Sequence, residues 1–207
     1  MTKGEKQPQE MLNLNLGSGS KRIEGFINLD KFDTFNPDIV HDLEIFPYPF
    51  KDSSVDKIIL SHVMEHIGQT PDIFNSIMRE LYRICKNQAI MDIAVPHPRH
   101  DDFLADPTHV RPITVLGLSL YDKEKNRQWK KENQAYNLLG LIHNVNFKII
   151  DVRYDVTKDY IKMLKEKKIT QEKLFEMIER YNNIVKQIFI QLKVIKDEWR
   201  SGNDTKG

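Results

Sequence analysis

Apolar residues fill Met11–Leu16 except at Asn13 and Asn15, and the run stops at Gly17-Ser18-Gly19, which predicts a buried strand entering a tight turn. A second strand is predicted over Phe26–Asp30, a third over Asp38–His41 and a fourth over Val55–Ser61. In the fourth, Val55, Ile58, Ile59 and Leu60 suit a strand covered on both faces. The stretch between Gly17 and Asp30 is too short for the usual crossover helix, so at most a single turn is expected at Lys21–Glu24. Thr70-Pro71-Asp72 signals a helix start: a hydroxyl cap, a proline where no N–H is needed, and a carboxylate at the positive end. Behind it Ile73, Phe74, Ile77, Met78, Leu81, Ile84 and Cys85 keep one apolar face to about Lys86. Ala89–Val95 reads as a fifth strand, 96–112 as a polar, proline-punctuated loop and Ile113–Leu120 as a short helix. Lys123–Asn133 reads as mostly solvated, and Phe147–Val156 as a late strand or hairpin arm.

From Thr170 onward the pattern changes. Leu174, Ile178, Tyr181, Val185, Ile188, Leu192, Ile195 and Trp199 follow spacings of four and three, a heptad seam flanked by Phe175, Met177, Ile184 and Phe189. A helix of about thirty residues spans roughly 45 Å, so part of it should overhang or pair with a partner, most simply in a homodimer; folding back on its own domain is the other reading. The expected organisation is a disordered lead at 1–10, a domain over 11–157, a helical appendage over 158–200 and a frayed tail at 201–207.

Composition narrows the class. A chain of 207 residues with 40% hydrophobic content can bury one substantial core. Its 31 Lys and Arg against 30 Asp and Glu create no global field for nucleic acid or an anionic membrane. The single Cys85 excludes an intrachain disulfide, and no run reaches the about 18 apolar residues of a membrane helix. With a polar N-terminus lacking a signal-peptide core, a cytoplasmic enzyme is expected.

The chemistry begins at MLNLNLGSGSKRIEGFINLD. Gly17 and Gly19 let a backbone turn tightly beside a ligand, and Asp30 at a strand end can accept both hydroxyls of a ribose; an ordinary Gly-Ser-Gly turn is the plainer alternative. Together with HDLE and FPYPFKDSSVDKIILSHVMEHI, these segments resemble the class I S-adenosylmethionine-dependent methyltransferases, in particular a small bacterial branch. The likeness is good over residues 11–95, loose over 96–156 and nearly absent beyond.

The resemblance implies an α/β fold, a doubly wound Rossmann-like methyltransferase sheet here carrying the long C-terminal helix, with S-adenosylmethionine as cofactor. It implies that Leu16, Gly17, Ser18 and Gly19 line the methionine and ribose portion, that Asp30 holds the ribose hydroxyls, and that Asp42-Leu43 meets the adenine. For Asp42 a helix cap or Asx turn is the alternative. Ser61 and His62 fall at the carboxyl end of strand four, beside the methionine end of the cofactor. His62 and His66 have a spacing that suits metal ligation, but the pattern resembles members that use none, and no metal is expected.

The loop after strand five gathers His97, Arg99, His100, Asp101, Asp102, Asp106, His109 and Arg111 within fifteen residues. It is the expected acceptor side, with His109 as leading general base, His97 and His100 behind it, and Asp106 orienting His109 through its other ring nitrogen. Arg99 and Arg111 are candidate clamps for an anionic substrate. A solvated loop with internal salt links, or one holding a divalent ion, are the alternatives. The function expected is O-methylation of a small polar acceptor: a sugar, a glycan precursor or a phosphate-bearing metabolite. Transfer to nitrogen, and a non-catalytic cofactor-binding partner acting through its long helix, are the competing readings.

Overall fold

The computed structural model describes residues 11–196. Strands β1 (Asn13–Leu16), β2 (Ile27–Asp30), β3 (Ile39–Val40), β4 (Val55–Ser61) and β5 (Cys85–Pro96) run parallel. With β6 (Phe147–Val156) and β7 (Val185–Val194) they make one seven-stranded sheet in the order β3-β2-β1-β4-β5-β7-β6. β7 is antiparallel to both of its neighbours. The chain moves outward from β1 through β2 to β3, then crosses back to β4 on the other side of β1. The strand order therefore reverses between β1 and β4, and their carboxyl ends flank the crevice where such sheets take ligands.

Helix α1 (Pro71–Ile84) connects β4 to β5 and begins where its capping signal lies, with the Thr70 hydroxyl accepting from the Ile73 N–H. Its buried stripe of Phe74, Ile77, Met78, Leu81 and Ile84 joins the core formed by Leu14, Leu16, Leu29, Ile58, Leu60, Met91 and Ile93. Between β5 and β6 lie the short helices α2 (Asp101–Leu104) and α3 (Val115–Ser119), then α4 (Lys123–Lys131) and α5 (Leu139–Ile142). The stretch 123–133 is mostly exposed, as expected, and α4 gives it its structure, burying only Lys123 and Asn126. The Asp122 carboxylate caps it by accepting from the Glu124 and Lys125 N–H groups, and Asn126 is buried with its amide donating to the Leu120 carbonyl.

No helix links β1 to β2, as the short connection requires. Buried amides organise that loop instead: Asn15 donates to the Lys21 carbonyl and the Asn28 side chain, while Asn28 accepts from the Ile23 N–H and donates to the Phe26 carbonyl. These bonds satisfy backbone groups that a crossover helix would have paired internally. β4 is less enclosed than its composition suggests. Ile58 and Leu60 are buried, whereas Lys57 and Ile59 on the other face are only half-buried and Lys57 pairs with Asp92 of β5.

The C-terminal region differs most from expectation. The helical appendage over 158–200 is two helices, α6 (Lys158–Lys165) and α7 (Gln171–Arg180), followed by β7 in the sheet between β5 and β6. Asn183, with φ of 62°, follows the helix end, and its side chain accepts from the Asp101 N–H. Beyond it Ile188, Ile190, Leu192 and Val194 are buried at alternate positions, the period of a strand. The heptad reading failed because residues four apart share one face in both periods, so Ile188 and Leu192 satisfy either. With these residues inside the sheet, the exposed seam that suggested a homodimer is lost, and Trp199 lies outside the described residues. So do the expected lead at 1–10 and tail at 201–207. Among the described residues no helix is long and apolar enough to cross a membrane.

Candidate functional site

At the crevice between β1 and β4 lies a cavity of about 690 Å³. Gly17, at the end of β1, has φ of +66°, and a Cβ there would meet Val63 Cγ2 at 2.5 Å, so both backbone conformation and close packing require glycine. Gly19 faces open space; its N–H donates to Asp30 Oδ2 at 2.8 Å. The Phe32 N–H donates to Asp30 Oδ1 at 2.9 Å, so two backbone amides aim a buried carboxylate at the cavity, and each oxygen keeps a further acceptor site.

Asp42 and Leu43 line the same cavity. Asp42 Oδ1 also accepts from the Glu44 N–H at 2.9 Å, so the local turn exists and occupies one of its oxygens. Phe32 and Phe35, exposed and packed edge to face, form an apolar wall with Ile67 and Val110. Sequence reasoning missed this pair, although two aromatics directly after INLD were the visible signal. Leu16 lies wholly in the core, and the Ser18 hydroxyl is buried without a hydrogen-bond partner among the described residues. Ser61 lies apart from this cavity. It lines a separate hollow of about 330 Å³ with Ile59, Asp92 and Phe189, because successive strand residues face opposite ways.

His62 follows β4 with φ of +57°, an uncommon conformation for a residue with a side chain and one that clusters at functional sites. Segment 62–66 is a turn and not a helix, so His62 and His66 do not share a helical face. The His62 imidazole lies between Glu65, at 3.3 Å from Nδ1, and Gln187 Oε1, at 3.1 Å from Nε2. The Glu65 carboxylate raises its pKa against the opposing effect of burial, and Gln187 adds to the rise. Glu65 has 0% exposure, and neither carboxylate oxygen has an aligned hydrogen-bond partner among the described residues. Its backbone carbonyl accepts from the Val110 N–H at 2.8 Å, tying this turn to the 96–112 loop.

That loop divides into two parts. His97 and His100 shape it locally: each Nδ1 accepts a backbone N–H two residues on, from Arg99 and from Asp102. Burial, then Arg99 and His100, lower the His97 pKa. Neither lines the cavity, which corrects their placing as reserve bases. Arg99 donates to the Ile178 and Glu179 carbonyls at the end of α7, and Arg111 to the Gly68 and Thr70 carbonyls while stacking 4.3 Å over the Phe74 ring. Both guanidiniums hold backbone in place, so neither is the expected substrate clamp.

His109 is brought to the site. Its ring packs on Phe103 and lies 4.6 Å from the His66 ring, centroid to centroid. His109 Nδ1 lies 2.7 Å from the Phe103 carbonyl, which can only accept, so Nδ1 carries a proton and donates to it. Asp106 does not orient that outer nitrogen as expected: its Oδ2 lies 3.8 Å from Nε2, and Oδ1 accepts from the Thr108 N–H and hydroxyl. Those Thr108 bonds are the main reason its carboxyl sits below the usual range. His66 lines both the large cavity and an adjoining hollow of about 280 Å³ bounded by Glu65, Asp106 and His109.

Proteins of known structure share this fold. The chain has the class I methyltransferase fold. A S-adenosylmethionine-dependent methyltransferase from Archaeoglobus fulgidus superposes with a TM-score of 0.54 at 16% identity, covering 89% of this chain and 86% of that one. One from Methanosarcina mazei gives 0.53 at 13% identity, covering 92% and 95%. The [4+2]-cyclase SpnF gives 0.51 at 11% identity, covering 90% and 76%, so the methyltransferase fold also houses another chemistry. No protein-family model matches the chain, and no curated protein matches it in sequence.

Proposed function

We propose that this chain is a S-adenosylmethionine-dependent methyltransferase that transfers a methyl group to oxygen of a small polar acceptor. The observation that carries the reading is the Asp30 carboxylate, held by the Gly19 and Phe32 amides beside Gly17 in a cavity at the sheet's reversal point. The residues present fit the cofactor. The volume, about 690 Å³, suits a nucleoside-sized ligand, Asp30 offers two acceptors to a ribose diol, and Phe32 and Phe35 offer an apolar wall to a base. Asp42 and Leu43 suit the adenine edge, and His62 the methionine end. When bound, S-adenosylmethionine supplies a methyl on a positively charged sulfur, and positioning then carries most of the rate.

The acceptor side is the chamber of Glu65, His66, Asp106 and His109 that adjoins this cavity. His109 lines it with Nδ1 engaged by the Phe103 carbonyl, so its neutral ring would use Nε2 to take the proton that a hydroxyl acceptor must shed. A purely regulatory subunit lost its main support when the long helix resolved into α7 and β7. Incubation with labelled S-adenosylmethionine and panels of polyols, phosphorylated sugars and amines tests the reading. Label is expected in an ether product, whereas transfer to amines alone would overturn oxygen as the acceptor, and no measurable affinity for S-adenosylhomocysteine would overturn the cofactor.

A further inference from the structure

The chamber beside the cavity has one feature that methyl transfer by proximity does not use: a fully buried carboxylate, Glu65, with no aligned hydrogen-bond partner among the described residues, approached by His62 at 3.3 Å and by two further imidazoles, His66 and His109. We propose that Glu65, His66 and His109 bind a divalent transition-metal cation. One ligand atom from each lies within 4.8 Å of the other two. An ion at about 2.1 Å from each donor would draw the three side chains inward.

The hydrogen-bond pattern is what such a site needs. The Thr108 hydroxyl donates its single proton to Asp106 Oδ1 at 2.7 Å. His66 Nδ1, 2.9 Å from that same hydroxyl oxygen, is therefore the donor, and Nε2 is the ring nitrogen left for an ion. His109 is held in the same way by the Phe103 carbonyl. Each ring is thus fixed by an outer hydrogen bond on Nδ1, the arrangement that orients histidine ligands around metals. Glu65 supplies the negative charge that compensates a cation, and its backbone is pinned by Val110. His62 is not among the three residues whose ligand atoms converge, and its ring lies between Glu65 and Gln187.

Two imidazoles and one carboxylate favour zinc, cobalt, manganese or iron over magnesium or calcium, which prefer oxygen. Three protein ligands leave coordination positions open to the hollow. Because His66 borders both spaces, a bound ion would sit between the cofactor cavity and the acceptor chamber. Its role of holding an acceptor oxygen rests on the methyltransferase reading, whereas the ion site itself does not.

The test titrates tag-free, full-length protein with Co²⁺ alone, followed by ligand-field absorption and calorimetry, with S-adenosylhomocysteine affinity measured separately. Equimolar binding with visible bands is expected. Glu65→Gln and His109→Gln should each lose more than the about tenfold to hundredfold that an outer-shell change costs, and Thr108→Val should lose about that much. His97→Ala, outside the chamber, should bind as the parent does. Failure of Co²⁺ to bind, or binding unchanged in folded Glu65→Gln and His109→Gln proteins, overturns the site. Binding of an alkylammonium acceptor in place of the metal would also overturn it and assign Glu65 to an amine. Loss of S-adenosylhomocysteine binding with the metal retained would count against the cofactor reading only.

Discussion

The Gly19 amide donates to Asp30 Oδ2 across 2.8 Å, joining the glycine turn after β1 to the carboxylate that closes β2. One bond therefore sets both the loop path and the direction in which Asp30 faces the cavity. Asp30→Ala removes the hydroxyl acceptors and releases two backbone amides. Loss of two hydrogen bonds to a charged acceptor corresponds to about 3 kcal/mol, roughly a hundredfold in affinity. Calorimetry with S-adenosylhomocysteine should show that loss in a folded Asp30→Ala protein, and unchanged affinity would remove Asp30 from the cofactor site.

The two glycines of the turn should not respond alike. Gly17→Ala places a methyl 2.5 Å from Val63 at a φ of +66°, whereas Gly19→Ala meets open space and incurs only its left-handed backbone. The strain alone is worth about 1–2 kcal/mol at either position, so Gly17→Ala should lower stability further than Gly19→Ala. Val63→Ala should relieve part of that excess. Denaturant titrations arranged as a double-mutant cycle measure the coupling, and equal losses for the two single variants would refute the packing argument.

Acid stability should depend on Asp38, which organises the same loop from below. The Asn28 backbone amide first, then Arg22 and the Asn28 side chain, hold its carboxyl at about 2. The folded pKa is depressed below an unfolded value near about 3.9. The contribution is therefore complete above that value and disappears as pH falls through about 2. Asp38→Asn should melt below the parent at about pH 6, and the gap should close between about pH 4 and pH 2. A gap that stays constant across that interval would mean that the carboxylate charge does not stabilise this loop.

Local signals made much of the fold legible. The Thr70 cap, the limits of β4 and the span of β6 all follow from residues next to one another in the chain. That Asp30, Asp42 and Leu43 line one cavity follows for the same reason, because each ends or follows a short strand and the fold brings those ends together. Glu65 was not legible in this way. Its significance depends on His109 arriving from beyond β5, and on hydrogen bonds from the two rings to Thr108 and Phe103 that no spacing records. Ser61 was placed one residue too generously, since adjacent residues at a strand end face opposite sides. His97 and His100 carried the right side chains, but their ring nitrogens are spent on the loop's own backbone.

β7 provides the sharpest test of the architecture. Ile188 and Leu192 are 3% and 0% exposed, and β7 pairs with β5 on one side and β6 on the other. The double variant Ile188→Asp with Leu192→Asp places two carboxylates in the core. Each costs several kcal/mol without a partner, against a total stability of about 5–15 kcal/mol for a domain. A helical dimer seam would respond differently, by separating subunits while the α/β core stayed folded. The strand therefore predicts loss of cooperative unfolding and of native circular dichroism at protein concentrations low enough to exclude aggregation. Phe175→Asp, at an exposed position on α7, is the control and should leave both signals close to the parent. A folded, cooperatively melting double variant would remove β7 from the middle of the sheet.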